Sequence, residues 1–254
     1  MSELGLGSGE LVLHGRIMPA SNATFLGRIA DTRVVYKPIA GERPLWDFPE
    51  GTLAAREVAA WHVSEAFGWD VVPYTFLRDG PHGPGMVQLW REPDEDYDAV
   101  DLVPTGQVPD GWCRVFDGVD GRDREVSLIH EDTEALRRIA VFDAVVNNAD
   151  RKGGHVLAMS TGHRYGVDHG LTFHTEDKLR TVLWGWRGEP LTGEEQRGLQ
   201  GVRDELDRGL GTVLRDLVTA TELEALAARC DRFLRQGRLP GPPSGWPAIP
   251  WPPF

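Results

Sequence analysis

Residues 139–157, IAVFDAVVNNADRKGGHVL, join an apolar segment to a polar turn that contains two glycines. Positions 139–146 are apolar on nearly every side apart from Asp143, which predicts a helix buried inside a core. Asparagine, aspartate, arginine and lysine follow at 147–152. A rigid element that presents such groups on a flexible turn is typical of a catalytic loop. A helix end capped by asparagine and glycine, with solvated charges, is the alternative.

A second acidic residue, Asp168, lies eighteen residues after Asp150, in the sequence YGVDHG at 165–170. Phosphoryl transfer needs one carboxylate to orient or deprotonate the attacking hydroxyl and another to hold the divalent metal that bridges the nucleotide phosphates. We expect Asp150 and Asp168 to divide these tasks. In the protein-kinase signature a metal-binding Asn stands five positions after the base Asp, and a later Asp-Phe-Gly supplies the metal-binding Asp. His155 and Asp168 stand at those two positions here.

Composition and charge restrict the class of protein. A chain of 254 residues with 41% hydrophobic residues is long enough for two lobes around a cleft. The formal net charge of -12 argues against broad binding to nucleic acid or to anionic membranes. Two cysteines, no apolar signal segment and no long apolar span predict a cytoplasmic protein without a disulfide framework or a stable membrane insertion.

The first forty residues favour a small β-rich lobe. Strand-like runs lie at 10–18, 25–29 and 33–39. The segment between the first two runs contains Ser21 and Asn22, and its small side chains would let backbone N–H groups approach phosphate oxygens. An ordinary hairpin turn uses the same residue types and is the alternative.

Lys37 and Glu57 form the second candidate pair. Lys37 ends an apolar strand, and Glu57 lies in a predicted helix at 52–67 that Gly68 ends. A strand lysine paired with a helix glutamate is the ion pair that positions nucleotide phosphates in kinases. A solvated edge lysine and an exposed charge on an alanine-rich helix are the alternatives.

Four segments together carry a resemblance to a known family: VYKP at 35–38, AAREVAAWHVSEAFG at 54–68, FDAVVNNADRKGGHVL at 142–157 and VDHG at 167–170. The chain resembles the phosphatidylinositol 3- and 4-kinase-like superfamily, in particular its small bacterial members. That superfamily neighbours the HipA-like serine/threonine kinases, which share the Asn-x-Asp-Arg loop.

The resemblance implies an α+β, protein-kinase-like fold with two lobes. Residues 1–90 would form the small β-rich N-lobe, residues 91–237 the mainly helical C-lobe, and residues 238–254 a tail rich in proline and tryptophan. Proline excludes a helix or a central strand in this tail. Its tryptophans would clamp it onto the body or onto a protein partner, and disorder is the equal alternative.

The resemblance also assigns roles in binding ATP and Mg²⁺ or Mn²⁺. It implies that Lys37 holds the α-phosphate, that Glu57 orients Lys37, that Asp150 is the catalytic acid and that Asp168 binds magnesium. Lys152 would touch the transferred phosphate, as the catalytic-loop lysine of protein kinases does.

Two further positions follow from the same resemblance. Gln88 and Leu89 would lie at the hinge that contacts adenine. His155 stands where the family has its metal-binding Asn, so the second metal ligand is an imidazole or is missing. Mg²⁺ prefers oxygen ligands whereas Mn²⁺ tolerates imidazole, so the change would shift metal preference. A histidine that only caps the loop is the alternative.

The sequence therefore predicts an ATP-dependent kinase that transfers the γ-phosphate to an unidentified hydroxyl of a protein, a small molecule or a lipid. An inactive nucleotide-binding module is one alternative. A metal-dependent phosphohydrolase is another, since imidazole and carboxylate clusters bind transition metals. The residues of that hydrolase site would be His155, His163, Asp168, His169 and His174.

Overall fold

The computed structural model describes residues 5–18, 20–49, 51–243 and 245–254. Its N-terminal part is a five-stranded antiparallel sheet with the strand order β1-β2-β3-β5-β4. The strands are β1 Leu11–Arg16, β2 Phe25–Ile29, β3 Thr32–Pro38, β4 Thr75–Gly80 and β5 Gly83–Leu89. One helix, α1 Leu53–Phe67, connects β3 to β4. The first three predicted strands and the predicted helix are confirmed, with ends that differ by at most two residues.

Alternation along β3 places Lys37 on the helix side of this sheet. Val34 and Tyr36 are fully buried in a core on one face. Because successive side chains of a strand point to opposite faces, Lys37 lies on the other face, beside its cross-strand partner Met86. Met86 packs against α1. The pattern of β3 thus directs a lysine toward α1.

A second antiparallel sheet, of three strands in the order β6-β8-β7, follows the first. Its strands are β6 Val100–Pro104, β7 Trp112–Val119 and β8 Glu125–Glu131. The sequence of 104–132 has weak periodicity and does not predict these strands. The structure gives one reason, since the register of β7 shifts between Arg114 and Phe116 and interrupts the alternation.

The C-terminal part is mainly helical. Its elements are α2 Glu134–Val146, β9 Val156–Ala158, β10 Arg164–Gly166, α3 Gly193–Leu206, α4 Gly209–Leu214 and α5 Ala220–Gln236. The sequence predicts one helix at 193–217, but Arg208 leaves the helical conformation and divides it into α3 and α4. The predicted α+β class, with a β-rich N-terminal part and a mainly helical C-terminal part, is confirmed.

Helix α1 belongs to both parts of the molecule. One of its faces packs under the five-stranded sheet, and another contributes Ala59, Ala60 and Val63 to the large core that also contains Phe142 and Leu199. A change in α1 is therefore felt by both cores. Among the described residues, no helix is long and apolar enough to cross a bilayer.

Candidate active site

Helix α2 delivers the polar turn as the sequence predicts. All of 139–146 is buried, Asp143 included. Asn147 ends the helix in the left-handed conformation, with φ 57°, which asparagine tolerates better than most residues. Its amide donates to the carbonyl oxygens of His174 and Glu176, and its Oδ1 accepts from the Lys178 N–H. The cap therefore also holds 174–178 against the turn.

Arg151 connects the catalytic turn, residues 147–155, to the segment around residue 168. Its side chain is fully buried, and its Nε and NH2 donate to the two carboxylate oxygens of Asp143 at 2.7 and 2.9 Å. NH1 donates to the carbonyl oxygens of His155 and Val167, both at 2.9 Å. NH2 also donates to His169 Nε2 at 2.6 Å. A buried charge pair of this kind is costly to break, so the two segments are held in one geometry.

The sequence argument missed the role of Arg151, although a signal was present. Asp143 is the one charged residue in the apolar stretch 139–146. A charge buried on a helix needs a hydrogen-bonded partner, and the first cation that follows Asp143 in the chain is Arg151. Charge balance could therefore have identified this pair.

Local contacts set the start and end of α1 and thus the position of Glu57. The carboxylate of Glu42 accepts from the N–H groups of Leu53 and Ala54 at 3.1 and 2.9 Å. It satisfies donors that a helix start leaves unpaired. Gly68 ends the helix in the left-handed conformation. Glu57 lies one turn inside α1 and is buried.

Three segments that are distant in sequence meet at Lys37. Its Nζ lies 2.5 Å from Glu57 Oε1 and 2.8 Å from Asp168 Oδ1. Burial disfavours the ammonium form, but the carboxylates of Asp168 and Glu57 outweigh it and raise the pKa of Lys37. Burial raises the pKa of Glu57, and Lys37 opposes that shift. The second oxygen of Glu57 accepts from the His169 N–H at 3.1 Å, which ties α1 to the turn at 167–170.

Asp168 has an accessible side chain and a strained backbone. Its side chain is 46% accessible, whereas that of Glu57 is 2% accessible. The Lys37 ammonium is the largest influence and holds the pKa of Asp168 well below its usual range, so this carboxylate is ionised near neutral pH. Asp168 has a φ of 60°, a region that costs free energy for a residue with a Cβ. Strain of this kind concentrates at functional sites.

His155 faces Asp168 in an arrangement that suits a cation. Its Nδ1 lies 3.0 Å from the Asp150 carbonyl oxygen, and its Nε2 lies 3.3 Å from Asp168 Oδ2. Burial lowers the pKa of His155, so the ring is neutral near pH 7. The neutral ring that donates from Nδ1 directs its Nε2 lone pair at a carboxylate oxygen. A cation between the two groups would relieve this repulsion.

His155 and Asp168 together fit a divalent metal that is bound along with a phosphate ligand. Imidazole nitrogen and carboxylate oxygen together suit Mn²⁺ and similar ions better than Mg²⁺. In the described part of the chain, no group of three or more metal-binding side chains is gathered in one place. A metal held by His155 and Asp168 would therefore complete its shell with water or phosphate oxygens.

The carboxylate of Asp150 lies between two cations. Lys152 Nζ is 3.2 Å from its Oδ2, and Arg180 NH2 is 3.9 Å from its Oδ1. Arg180 is held in place by its Nε, which donates to the Ala149 carbonyl oxygen at 2.6 Å, and by its N–H, which donates to that of Asn148 at 3.0 Å. The side chain of Asp150 is 21% accessible.

Sequence reasoning did not find Arg180. It lies thirty residues after Asp150, and its contacts with the catalytic turn arise only from the fold. The available signal is weak, because a cation between Leu179 and Val182 has the same pattern as any half-buried extended segment.

The candidate phosphate loop at 19–24 has no described hydrogen bond to Lys37, Glu57 or Asp168. Asn22 Oδ1 accepts from the Arg43 N–H at 2.9 Å, and Ala23 N–H donates to the Gly41 carbonyl oxygen. Ser21 is exposed, and Pro19 lies outside the described residues. The described contacts join the loop to 41–43 rather than to Lys37. A role for Ser21 and Asn22 with phosphate stays a prediction.

The two predicted hinge residues, Gln88 and Leu89, lie on opposite faces of the sheet. Gln88 is buried on the Lys37 face of the sheet, and its amide donates to Thr75 Oγ1 at 2.8 Å. Leu89 packs against the core on the opposite face, and its N–H donates to the Tyr74 carbonyl oxygen at 2.9 Å. The N–H of Trp90 is also used, by a carbonyl of β3. Adenine contact by Gln88 and Leu89 stays a prediction, and Leu89 N–H is already paired.

The five residues of the alternative hydrolase site do not converge. His155 meets Asp168, but the ring of His169 is bonded to Arg151. His163 Nε2 contacts the Asp70 carbonyl oxygen at 2.8 Å. His174 packs edge-on against Phe48, with ring centroids 5.4 Å apart. Across the described residues these contacts do not build the metal cluster that a hydrolase of this type needs.

Comparison with known proteins finds a relative in sequence and a likeness in structure. No protein-family model matches the chain. Protein Rv2133c of Mycobacterium tuberculosis is 47% identical over 262 residues, an alignment that covers 98% of this chain and 94% of that protein. The crystal structure of a Helicobacter pylori proinflammatory kinase, CtkA, is similar at 11% identity and a TM-score of 0.46, over 92% of this chain and 94% of that chain.

Proposed function

We propose that this chain, which belongs to the same family as protein Rv2133c of Mycobacterium tuberculosis, is an ATP-dependent phosphotransferase of the phosphatidylinositol 3-/4-kinase-like type. The observation that carries the proposal is the convergence of Lys37, Glu57 and Asp168 from β3, α1 and the 167–170 turn. One lysine shared by a buried glutamate and an accessible aspartate is an arrangement for holding nucleotide phosphates and their metal. The acceptor hydroxyl is not identified, and the proposed location is the cytoplasm.

The nucleotide side of the site is assigned to four side chains. Lys37, kept charged by its two carboxylate partners, binds phosphate oxygens, and Glu57 holds it in place. Asp168 and His155 would hold a divalent ion, Mg²⁺ or Mn²⁺, which would supply positive charge to the nucleotide phosphates.

The acceptor side is assigned to Asp150 and its two cations. Asp150 orients the acceptor hydroxyl and receives its proton at a carboxylate oxygen. Lys152 and Arg180 place positive charge beside the path of the transferred phosphate. Asp150 thus acts on the acceptor and Asp168 on the nucleotide, and His155 contacts both residues.

The test is transfer of labelled γ-phosphate from ATP by purified full-length protein, alone and with cell extract, in Mg²⁺ and in Mn²⁺. We expect a labelled acceptor or labelled protein. Binding of ATP without any transfer would favour the inactive nucleotide-binding module, which the histidine at position 155 makes the second candidate. Absence of both binding and transfer would overturn the proposal.

Asp168→Asn is expected to abolish metal-dependent stabilisation by ATP. The amide keeps the shape of the side chain but removes the charge that Lys37 and the metal share. Thermal-shift measurements with ATP and Mg²⁺ or Mn²⁺ test this, with the exposed Asp101→Asn as the matched control. Equal ATP-dependent shifts in wild type and Asp168→Asn would contradict the assignment.

His155→Asn is expected to lower the ratio of Mn²⁺-supported to Mg²⁺-supported activity. The change replaces a nitrogen ligand, which Mn²⁺ accepts, with the oxygen ligand that Mg²⁺ prefers. Initial rates at saturating ATP in each metal give the ratio. His163→Asn, which removes an imidazole whose Nε2 contacts Asp70, is the control. A ratio that stays the same in both variants would show that His155 is only a loop cap.

A further inference from the structure

The C-terminal segment 245–254 is hydrogen-bonded to the catalytic turn and to the neighbouring segment 181–184. The carbonyl oxygen of Ala248 accepts from the Thr181 N–H at 3.1 Å and from Trp184 Nε1 at 2.8 Å. The carbonyl oxygen of Pro253 accepts from the Gly153 N–H at 2.8 Å. The segment therefore lies on the body of the protein at these points.

These attachment points lie on two segments that are paired with each other. Gly153 begins the short 3-10 turn that ends at His155. Thr181 forms a parallel bridge with Arg151, so the segment 181–184 is also paired with the catalytic turn. The segment thus contacts both the turn that carries the proposed catalytic groups and the chain that is paired with it.

The half-exposed ring of Phe254 packs directly against Gly153. A Cβ added to Gly153 would lie 2.5 and 2.6 Å from two ring atoms of Phe254 and 3.3 Å from Val100 Cβ. A Cβ added to the neighbouring Gly154 would meet no atom within 4 Å. The ring is therefore in close contact with one glycine of the turn and not with the next.

The other end of the segment is held by a buried cation. Lys178 Nζ lies 4.8 Å from the ring centroids of both Trp46 and Trp246 and 2.7 Å from Asp47 Oδ2. Trp46 and Asp47 belong to the connection between β3 and α1, and the Lys178 N–H is bonded to Asn147 at the end of α2. This contact links the segment to the N-terminal part of the molecule and to the helix that delivers the turn.

We propose that residues 245–254 are a positioning element, which holds the catalytic turn through Pro253 and Phe254 in the geometry that the proposed phosphate transfer needs. The described hydrogen bonds of the segment to the turn are made to its backbone, at Gly153, and the side chains of Asp150 and Lys152 each stay 21% accessible. The segment braces the turn and leaves its reactive groups open. The functional half of this inference rests on the proposed phosphotransferase activity, whereas the structural half is tested independently of it.

The experiment compares four variants of the full-length protein: Gly153→Ala, Gly154→Ala, Phe254→Ala and the double variant Gly153→Ala/Phe254→Ala. Gly153→Ala pushes the Phe254 ring away, so we expect kcat to fall by about 10- to 100-fold, because displacements of about 1 Å cost rate of that order. The Kd for ATP measured without a divalent ion should change little, since Lys37 lies outside the turn and the proposed metal ligand His155 is then not used. Gly154→Ala has free space for its methyl group and serves as the steric control.

The double variant separates bracing from local damage. If Gly153→Ala acts through the ring, it adds no further loss of kcat once Phe254 is alanine. Independent, additive losses would mean that the alanine damages the turn by itself and would overturn the inference. A rise in kcat with Phe254→Ala would mean that the segment inhibits the turn, which also overturns it.

Hydrogen exchange of the amides at 150–157 supplies the readout that needs no activity. We expect faster exchange in Gly153→Ala and Phe254→Ala and wild-type exchange in Gly154→Ala. Unchanged protection in all variants would refute the bracing. Faster exchange together with no phosphate transfer in wild type would uphold the bracing and refute the proposed function, so the two failures are distinguishable.

Discussion

Asp150→Ala is expected to lower phosphate transfer by about 10²–10⁴-fold with ATP affinity nearly intact. The carboxylate contacts Lys152 and Arg180 and takes no part in the group formed by Lys37, Glu57 and Asp168. Its contribution is therefore made mainly in the transition state. Removal of one negative charge beside two cations also does not weaken attraction for ATP phosphates. Initial rates and calorimetric ATP titration measure the two quantities separately.

The control for this prediction is Asp98→Ala, which removes an exposed aspartate from the acidic loop at 92–101. It should retain wild-type turnover. Turnover that survives in Asp150→Ala would show that the base is elsewhere. Lost ATP affinity in the same variant would place Asp150 on the nucleotide side of the site and would contradict the division of roles.

Much of the local structure could be predicted because its signals are local. Alternation in β3 and the helical pattern before Gly68 give the strand and the helix that carry Lys37 and Glu57. The apolar run before Asn147 gives the helix that delivers the turn. The role that each residue plays in catalysis stays a prediction, but the sequence did single out side chains that the fold brings together.

The remaining parts of the site depend on contacts between distant segments. Arg180 reaches Asp150 only because 148–151 and 180–182 lie side by side. Pro253 reaches Gly153 across about a hundred residues of chain, and proline-rich composition predicts neither disorder nor a partner site by itself. Sequence patterns report periodicity within an element, and they do not report which loops the tertiary fold places in contact.

A lysine at a strand end supplies charge and little to a core, so the sequence predicts that Lys37→Met stays folded, but the contacts of Lys37 in the structure indicate a loss of stability. The Glu57 carboxylate is 2% accessible, and Lys37 is its ion-pair partner. When one partner of a buried pair is removed, the other charge is left uncompensated, at a cost of about 3–5 kcal/mol. The hydrogen bond from the His169 N–H to Glu57 remains and offsets only part of this cost.

We therefore expect Lys37→Met to lower the free energy of unfolding by about 3–5 kcal/mol and to lose the stabilisation by ATP. The double variant Lys37→Met/Glu57→Gln should recover much of the stability, because a neutral amide replaces the stranded charge. It should not recover the ATP-dependent shift, because the phosphate-binding ammonium is still missing. Denaturant unfolding and thermal shift with ATP measure the two effects in the same pair of proteins.

The pH dependence of the loss in unfolding free energy tests whether the unpaired Glu57 carboxylate causes it. Burial already raises the pKa of Glu57, and without Lys37 that pKa rises further. A group whose folded-state pKa is raised contributes stability below its unfolded pKa, about 4.3 for glutamate, and loses it as pH rises through the folded value. The deficit of Lys37→Met relative to wild type should therefore be larger at pH 8 than at pH 5, and the double variant should not show this difference. Equal deficits at both pH values, or a double variant as unstable as the single one, would show that Glu57 is not the source of the cost.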